Sequence, residues 1–564
     1  MVGGEMKLSA RLKSWSGRRE ALSGAALFLV VLGLYSLTWF QGLGVSVSTI
    51  SAERVLRGEI PYRDFWTIYA PGHFYLLALL FRIFGSHLLV DTVAASVICA
   101  AAGLLCYWLV FNLVSRRFAA IVCAGIFVAA TFNTGYFKFV GSYPPAIFFV
   151  LAALNFMVLH YKTGKLGHLF AAGLATGAAV AFKHDVGGYT AIAILAGLVG
   201  HRFLLPRMAA DRVPSLLLKL TLYCVGVAVI VLPISIYFAV LAGADVLQDL
   251  IIFPLTDFRY ARPEHYPGLF EFNIYGESFL NSISKLFKYL NFTLPFALFL
   301  FGLIAIGVAA RRRKPAYVAL GVTFSAAYLL HYAAAHVQIN THIISLSVYG
   351  ALLGVIFFDL LEREFGFRKP ALTKLISAAL AGSWFLALAA EPVDKAWSFR
   401  KQATTELKFE KVAGLKASPE LARNYSDLLA FVDTHISRDE NLFIGLHRHD
   451  VVIVGANAAD YFILDRPIAT RYHELHPAVV DTADIQREII RNLQDKNVSF
   501  IILKRIKADE RLEEVKRNFL RNLPKVGATD LDRFIRANYV QVRTIGNNAI
   551  WQRKDRVVPV AGAI

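Results

Sequence analysis

The sequence predicts a mainly α-helical fold, a polytopic transmembrane bundle of about eleven spans followed by a C-terminal extramembrane α/β domain. Hydrophobic residues make up 56% of the 564 residues and charged residues 18%, whereas soluble proteins are roughly half apolar and a quarter charged. Up to residue 390 the chain is a succession of long apolar stretches, and after it charged residues are frequent. These observations exclude a disordered chain and a single soluble domain.

The predicted spans follow one another through the first two thirds of the chain, because a helix needs about 20 apolar residues to cross the hydrocarbon core. The first span follows a basic segment, and we expect it to be a retained signal anchor. The fifth is rich in glycine and alanine, which favours close packing of helices. The spans are 22–41, 86–114, 118–135, 143–160, 167–182, 187–205, 218–241, 290–310, 315–335, 342–361 and 372–390.

The cations alternate between successive loops and so predict the orientation of the chain. Loops on the side of the N-terminus carry Arg116 and Arg117, Lys162 and Lys165, and the run Arg311–Lys314, whereas the opposite loops carry far fewer cations. Because loops rich in lysine and arginine stay in the cytoplasm, the N-terminus is predicted to be cytoplasmic and the tail periplasmic. The sequence thus predicts a multi-pass protein of a bacterial inner (plasma) membrane. This pattern also explains the net charge of +18, and we expect no nucleic-acid partner.

The chain is predicted to divide into three parts: a cytoplasmic segment over 1–21, a transmembrane domain over 22–391, and an external α/β domain over 392–564. In the last part helical patterns alternate with short apolar runs typical of strands. The predicted helices are Leu421–Ile436, Asp484–Asp495 and Arg511–Leu523, and the predicted strands are Leu442–Leu446, Val451–Val454, Phe500–Leu503 and Tyr539–Val542.

Two external loops of the transmembrane domain are large, 42–85 and 242–289. In the first, apolar residues recur at helical spacing over 51–57 and again over 73–84. Both stretches are too short to span, and we expect two helices lying along the membrane surface. This amphipathic loop is the most informative stretch of the sequence for function.

Carboxylates lie in the same loop near the predicted membrane surface. A carboxylate at that level can take a proton from a hydroxyl or amine as a bond forms to it. Asp64 is better placed than the others, since it lies between the aromatic residues Tyr62 and Tyr69. The alternative interpretation of Glu53 and Glu59 is that they are solvated charges on a surface helix and a turn.

A second candidate cluster is Lys183, His184 and Asp185, at the external junction of the fifth and sixth spans. Ionisable residues at such depth are costly and tend to be functional. Lys183 can bind a phosphate as a compact charge, and Asp185 can orient Lys183 or His184. The alternative is an interhelical hairpin whose charges simply reach water.

Other polar residues give weaker signals. Lys138 is a further candidate for a phosphate site, although a lysine reaching the membrane interface has the same pattern. The spacing of His331 and His336 is not the i, i+4 spacing of a zinc-binding helix, and no metal site is expected. In the tail, the motifs from His447 to Asp450 and from Arg471 to Pro477 are predicted to be hydrogen-bonded structural clusters.

Two segments resemble one known superfamily. The loop segment "ERVLRGEIPYRDFWTIYAPGHFYLLALLFRIFG" resembles the first periplasmic loop of GT-C glycosyltransferases. The tail segment "GLHRHDVVIVGANAADYFILDRPIATRYHELHPAVVDTADIQREII" is similar to tails of one bacterial branch, which includes protein O-mannosyltransferase-like proteins and the lipid A aminoarabinose transferase. The resemblance implies inverting transfer of a sugar from a polyprenyl-phosphate donor to a lipid, polysaccharide or protein acceptor, without a cofactor.

The resemblance also implies roles for residues of the first loop. The motif "PYRDF" matches the family pattern, so Asp64 is implied to be the catalytic base, with Glu53 as the alternative. Tyr62, Arg63 and Tyr69 are implied to bind substrate.

Two further points come from the same resemblance. His342 stands where relatives often carry a polar residue facing the donor lipid, which implies a contact with donor phosphate. The acid that the family usually carries early in the first loop falls near Gly44-Val45-Ser46, where this chain has none. Either Asp64 or Glu53 takes that role, or the chain is not catalytic.

The sequence therefore predicts a membrane glycosyltransferase. No Walker element or other phosphate-binding glycine-rich loop occurs, which favours a lipid-phosphate donor over a sugar nucleotide. The rival interpretation is a transporter or a non-catalytic cell-envelope assembly factor, in which charges within the membrane would line a translocation path. The large polar tail and the clustering of charges at one face favour the transferase.

Overall fold

The structure is a computed structural model. It describes residues 22–37, 39, 46–133, 137–204, 215–258, 279–335, 339–364, 379, 382–386, 397–452, 455–456, 458–505, 517, 523 and 525–556. Several sequence predictions lie wholly or largely outside these residues: the segment 1–21, the positions 44 and 45, the middle of the loop 242–289, His336, the span 372–390 and the helix 511–523.

The described elements are mainly helical. In chain order the helices are α1 (Leu22–Ser36), α2 (Val47–Leu56), α3 (Gly72–Phe84), α4 (Leu88–Val114), α5 (Arg117–Asn133), α6 (Tyr143–Thr163), α7 (Gly167–Phe182), α8 (His184–Leu204), α9 (Leu216–Ala242), α10 (Phe279–Arg311), α11 (Pro315–Ala334), α12 (Ile339–Glu364), α13 (Pro419–His435), α14 (Ala458–Leu464), α15 (Ala483–Asp495) and α16 (Asp530–Asn538). The strands are β1 (Thr405–Glu406), β2 (Lys416–Ala417), β3 (Phe443–Leu446), β4 (Gly455–Ala456), β5 (Glu474–Leu475), β6 (Phe500–Lys504), β7 (Tyr539–Ile545) and β8 (Asn548–Arg553).

Contacts divide the chain into two compact units. The membrane unit comprises Met1–Trp39, Thr92–Ile234 and Glu264–Ala396. The tail unit comprises Phe40–Asp91, Ser235–Pro263 and Trp397–Ile564. The first external loop and the start of the second thus group with the C-terminal domain, so the tail unit is assembled from three separate stretches of sequence.

The helices of the membrane unit bear out the pattern of apolar stretches. Within the described residues, seven helices are long and apolar enough to cross a membrane, α4, α6, α8, α9, α10, α11 and α12. Three shorter apolar helices, α1, α5 and α7, coincide with further predicted spans. The chain is a multi-pass membrane protein, and each of the first ten predicted spans overlaps a helix.

Small residues determine how closely the helices of this unit approach. A Cβ atom on Gly173 of α7 would lie 2.2 Å from the carbonyl oxygen of Tyr223 in α9, and one on Gly226 would lie 2.4 Å from the carbonyl oxygen of Phe170. The two backbones therefore touch at a pair of glycines, as expected for membrane helices that pack without large side chains. The prediction that the glycine- and alanine-rich fifth span packs closely is confirmed.

The tail unit contains a small mixed sheet. Its strand order is β3-β6-β8-β7, with β3 and β6 parallel and the other neighbours antiparallel. Every residue of β3 is buried although β3 is an edge strand, as its continuous apolar run predicts for a strand covered on both faces. The predicted strands over 442–446, 500–503 and 539–542 and the predicted helices over 421–436 and 484–495 are confirmed.

The strand predicted over 451–454 is wrong for its described part. Val451 and Val452 are buried but belong to no strand. They follow a bend that begins at His449, whose carbonyl oxygen accepts a hydrogen bond from the Gln486 side chain. An apolar pair in a buried turn has the same pattern as a short strand.

Candidate functional site

The first external loop folds into a tight turn that Asp64 closes. The amide of Asp64 donates to the carbonyl oxygen of Ile60 at 2.8 Å, and the amide of Ile60 donates to Oδ2 of Asp64 at 2.7 Å. Pro61 and Phe65 form an isolated β-bridge across the same turn. Proline and aspartate are both typical turn residues, the first through its fixed φ and the second through hydrogen bonds to nearby amides. The motif "PYRDF" is thus a folded turn.

Arg63 pairs with the carboxylate of Asp64. Its Nε donates to Oδ1 at 2.9 Å and its Nη2 to Oδ2 at 2.7 Å. Hydrogen bonds from Arg63, and to a lesser extent the amide of Ile60, lower the pKa of Asp64 although partial burial acts in the opposite direction. The carboxylate, which is 30% exposed, is therefore ionised near neutral pH, and both of its oxygens already accept hydrogen bonds.

Tyr62 holds the turn in an unusual backbone conformation. Its φ is +69°, a value that is rare for a bulky residue, and its side chain is fully buried. The hydroxyl donates to the carbonyl oxygen of Tyr69 at 2.7 Å, and the ring packs edge-on against Phe238. A strained backbone conformation of this kind persists only where the surrounding contacts hold it in place, and it is often found beside functional sites.

Glu53 belongs to a buried ion-pair network. Nζ of Lys411 donates to Oε1 of Glu53 at 2.6 Å and to Oδ1 of Asp465 at 2.8 Å. Burial raises the pKa of Glu53, and Lys411 opposes that shift. With 6% of its side chain exposed, Glu53 is less accessible to a substrate than Asp64.

Arg54, which the sequence analysis did not single out, organises the loop. Its guanidinium donates to Oε2 of Glu59 at 2.6 Å and to the carbonyl oxygen of Asp64 at 2.9 Å. It also donates to the carbonyl oxygen of Thr470 at 3.3 Å and contacts Nδ1 of His473 at 3.2 Å. Within the tail unit, this one side chain therefore connects α2, the Asp64 turn and a segment more than 400 residues further along the chain.

The segment from Arg471 to Pro477 packs against the same loop. The carbonyl oxygen of Arg471 accepts from the amide of Trp66 at 3.0 Å, and its guanidinium donates to the carbonyl oxygen of Tyr62. The ring of His476 lies 5.3 Å from that of Trp66 and 5.4 Å from that of Phe253. The motif is a structural cluster, as its pattern predicted, and its partners lie in the first loop and after α9.

Asp249 is a buried carboxylate in this cluster. It lies in a π-helical turn, Gln248–Ile252, a conformation that is rare and frequent at functional sites. Burial raises the pKa of Asp249 to about 7, and the nearby charge of Arg471, 3.4 Å from Oδ2, acts against that shift. Near neutral pH this carboxyl group is partly protonated.

The other tail motif is also structural. The ring of His449 is fully buried, and its Nδ1 donates to Oδ1 of Asp532 at 2.7 Å. Its Nε2 accepts from the amide of Leu446 at 3.1 Å. Both ring nitrogens are thus used within the tail unit.

In the membrane unit, Lys183 lies at a break between two helices. It adopts an extended conformation, φ −148° and ψ 99°, between the end of α7 and the start of α8. Gly187 makes the break compact, because a Cβ there would lie 2.3 Å from the amide nitrogen of Val180. The break coincides with the predicted junction of the fifth and sixth spans.

The charges at this break pair with one another. Nζ of Lys183 donates to Oδ2 of Asp185 at 3.0 Å and lies 5.0 Å above the ring of Tyr143. Oδ1 of Asp185 accepts from the amide of Val186 at 2.7 Å. Lys183 is 8% exposed and Asp185 is 23% exposed, so the pair is largely removed from solvent.

Two histidines of α11 and α12 lie beside this pair. Nδ1 of His331 is 3.0 Å from Nδ1 of His342, and His342 is close enough to Asp185 to interact with its charge. The ring of His331 also packs edge-on against Tyr189, with centroids 5.3 Å apart. The structure thus brings the predicted residues Lys183, His184, Asp185 and His342 into one neighbourhood and adds His331, which the sequence analysis had weighed only as a metal ligand.

Some polar atoms of this neighbourhood are unused. Within the described part of the chain, Nδ1 of His184 and Nε2 of His331 are buried without a hydrogen-bond partner. Such atoms are costly, and they mark a place where a ligand or water can bind. We call Lys183, His184, Asp185, His331 and His342 the Lys183 cluster.

Lys138 lies partly buried between α5 and α6, and its assignment to a phosphate site stays a prediction. Among the described residues, no group of three or more histidine, cysteine, aspartate or glutamate side chains is placed to hold a metal ion. The roles that the resemblance implies for Asp64, Glu53, Tyr62, Arg63 and Tyr69 likewise stay predictions.

Comparisons with known proteins locate the fold. No protein-family model and no curated protein matches the chain. Among solved structures, the chain is similar to ArnT from Cupriavidus metallidurans bound to undecaprenyl phosphate, with a TM-score of 0.53 and 13% identity over 96% of this chain and 99% of that one. The apo state of the same protein matches with a TM-score of 0.51 and 15% identity over 95% and 98% of the two chains. This chain therefore shares the fold of ArnT along nearly its whole length, in agreement with the resemblance seen in the sequence.

Proposed function

We propose that this protein is a glycosyltransferase of the bacterial inner membrane that moves a sugar from a polyprenyl-phosphate donor to an acceptor at the periplasmic face. The observation that carries the proposal is the Lys183 cluster, a largely buried cation beside nitrogens of His184 and His331 that have no hydrogen-bond partner among the described residues. The fold supports it, because the similar ArnT structure is bound to undecaprenyl phosphate, a lipid of the proposed donor class.

Lys183 stabilises the departing phosphate in this proposal. As the bond between the sugar and the phosphate oxygen breaks, negative charge accumulates on the phosphate, and a positioned cation in a site of low dielectric lowers the barrier. Asp185 holds the ammonium group in place through the contact of 3.0 Å. His184 and His342 supply additional hydrogen-bond donors to the phosphate, and Lys138 contributes a second cation.

Asp64 accepts the proton of the acceptor, with Glu53 as the reserve. The pKa of Asp64 lies below the usual value because of Arg63, so the group is ionised and ready to accept. One hydrogen bond from Arg63 gives way to the acceptor hydroxyl or amine, which attacks the sugar from the face opposite the phosphate and inverts the anomeric centre. Tyr62 and Tyr69 hold the turn that presents the carboxylate.

The remaining features of the proposal concern the partners and the orientation. The acceptor is a lipid, a polysaccharide or a protein, and the reaction needs no cofactor. The N-terminus lies in the cytoplasm and the C-terminal domain in the periplasm, since the cations of alternate loops favour this orientation.

A deletion strain tests the proposal. Mass spectrometry of its envelope lipids and glycans is expected to show the loss of one sugar from an acceptor and the accumulation of a polyprenyl-phosphate sugar. Complementation with the Lys183→Ala variant should leave transfer reduced by about 100- to 1,000-fold, because a positioned charge that stabilises the leaving group is lost.

Lys165→Ala provides the matched control, because Lys165 is an exposed lysine of the same unit. It should restore wild-type envelope composition at equal protein levels. Full restoration by Lys183→Ala, or an unchanged envelope in the deletion strain, would contradict the proposal. A transporter would instead fail to transfer sugar when purified protein is mixed with donor and acceptor in detergent.

A further inference from the structure

The membrane unit contains a largely apolar, open cavity on helices α5, α10 and α12. Its volume is 410 Å³, within the roughly 300–1,000 Å³ range of ligand sites. Val122 and Ile126 of α5, Leu298 of α10, and Val355 of α12 are among the side chains that line it. His342 lies in the first turn of α12, and the lining residues Ala351 to Glu362 lie further along the same helix, about 14 to 30 Å away at 1.5 Å per residue.

Two small residues of α12 line the cavity, and one of them packs closely against Leu298 of α10. Ala351 and Gly354 both line the cavity, and a Cβ on Gly354 would lie 3.0 Å from Cδ2 of Leu298. The cost of an unfilled apolar cavity grows with its volume, and water does not compensate for it because apolar cavities stay dry. An apolar chain from the surrounding lipid is the natural occupant.

An ion-pair network forms one wall of the opening. Oδ1 of Asp359 accepts from Nε of Arg116 at 2.9 Å, its Oδ2 accepts from Nε of Arg363 at 2.9 Å, and Tyr317 donates to it at 2.5 Å. Arg116 also pairs with Glu362. These contacts connect the ends of α5, α11 and α12 and keep the wall of the cavity in place.

The opening lies on a positively charged rim. Arg117 and Phe118 are exposed where α5 begins, and both line the cavity. Cations outnumber acids in the described residues at this end of the helices. The cations are Arg116, Arg117, Arg311, Arg312, Arg313, Lys314 and Arg363, and the acids are Asp359, Glu362 and Glu364. Such an excess of cations next to a membrane attracts anionic lipid headgroups.

We propose that this cavity is a binding site for one acyl chain of an anionic phospholipid, whose phosphate lies against Arg117. The site is separate from the proposed sugar-transfer site and requires no turnover. The role of the bound lipid is to fix the ends of α5, α10 and α12 at the positively charged face of the membrane unit.

Native mass spectrometry of the delipidated full-length protein tests this proposal, with phosphatidylglycerol and phosphatidylcholine as the probes. We expect one phosphatidylglycerol to bind more tightly than phosphatidylcholine. Val122→Trp fills the cavity and should abolish this tight binding. Arg117→Gln should reduce the preference for phosphatidylglycerol by about fivefold, the effect of one cation near the membrane surface.

The neighbouring residue Ile121 provides the control, because it is 55% exposed on the same helix and does not line the cavity. Ile121→Trp should bind lipid as the wild type does. Equal binding by the two tryptophan variants would overturn the site, and equal affinity for both lipids would overturn the headgroup assignment.

A phosphatidylglycerol with a photoreactive acyl chain provides a second measurement on the unchanged protein. Crosslinks at Val122 and Val355 support the site, and crosslinks confined to Ile121 and other exposed residues contradict it.

Discussion

The first external loop and the Lys183 cluster both concentrate charge, but they use it differently. In the loop, each candidate carboxylate accepts a hydrogen bond from a cation of the tail unit; the pairs are Glu53 with Lys411, Glu59 with Arg54, and Asp64 with Arg63. In the Lys183 cluster, buried histidine nitrogens have no partner among the described residues. The charges of the loop chiefly determine its own conformation, whereas the cluster retains unused polar atoms that a ligand can satisfy.

This difference bears directly on Asp64. A carboxylate that only shapes a turn and one that also takes a proton have the same hydrogen bonds at rest. Two variants separate the roles. Replacing Asp64 removes both the ion pair and the carboxylate, whereas replacing Arg63 removes the ion pair and leaves the carboxylate in place.

Asp64→Asn should reduce transfer by about 100- to 10,000-fold if Asp64 is the general base. Arg63→Gln removes the same ion pair but leaves the carboxylate and raises its pKa towards the ordinary value. Its activity at pH 7 should therefore stay within about tenfold of the wild type, and the acid limb of its pH–rate profile should move to higher pH. Initial rates of sugar transfer with purified protein measure both effects.

The comparison of the two variants decides the role of Asp64. If both variants lose activity equally, the ion pair matters for the conformation of the turn and the base lies elsewhere. Glu53→Gln is then the next variant, since Glu53 is the other acid implied by the resemblance.

A second prediction concerns Arg54, whose contacts make the loop one unit with the segment around His473. Arg54→Met removes several charge-assisted hydrogen bonds at once and should lower the free energy of local opening by about 2–4 kcal/mol. Hydrogen exchange measured by mass spectrometry on the full-length protein should show faster exchange in peptides covering 47–66 and 468–476 together.

Arg57→Gln is the matched control on the same helix. Arg57 is 37% exposed and pairs with Asp465 at 2.8 Å, and exposed pairs contribute about 0–1 kcal/mol. Exchange that increases equally in both variants would show that Arg54 does not connect the two segments.

The sequence predicted the membrane helices and the position of Lys183, His184 and Asp185 between two of them, because both depend on neighbours in the chain. A run of apolar residues reports a span directly, and Lys183, His184 and Asp185 are adjacent. The contact of His331 with His342 joins two helices that are consecutive in the chain. The spacing of the histidines in the sequence therefore already gave part of the signal for this contact.

The organisation of the first loop was not predictable in the same way. Arg54 and His473 are separated by 419 residues, and Ser51 and His473 by 422, and no periodicity reports such pairings. The helix α16 and the strand β8 were not among the predicted elements, although Leu531 and Ile535 of α16 have helical spacing and are buried. The sequence signal for the role of Arg54 is limited to its position one helical turn before Gly58. At that position, an arginine that faces the loop and one that faces solvent have the same sequence pattern.

The smallest expected effect concerns Asp249, the buried carboxylate that, unlike those of the first loop, has a strongly raised pKa. Its pKa is about 7 in the folded protein and near 3.9 in an unfolded chain, so the folded state holds the proton more tightly. The stability that this proton contributes is fully present below about pH 4 and is lost as the pH rises towards 7. Burial also raises the pKa of Asp481 to about 7, so the tail unit should become less stable by about 2 kcal/mol per group between pH 5 and pH 7. Hydrogen exchange in peptides around residue 249 measures this loss, and Asp249→Asn should remove the pH dependence there while Asp481→Asn leaves it in place.

An unchanged pH dependence in Asp249→Asn would show that Arg471 keeps the carboxylate ionised, in which case Asp249 would resemble Asp64 and the contrast between the two carboxylates would disappear.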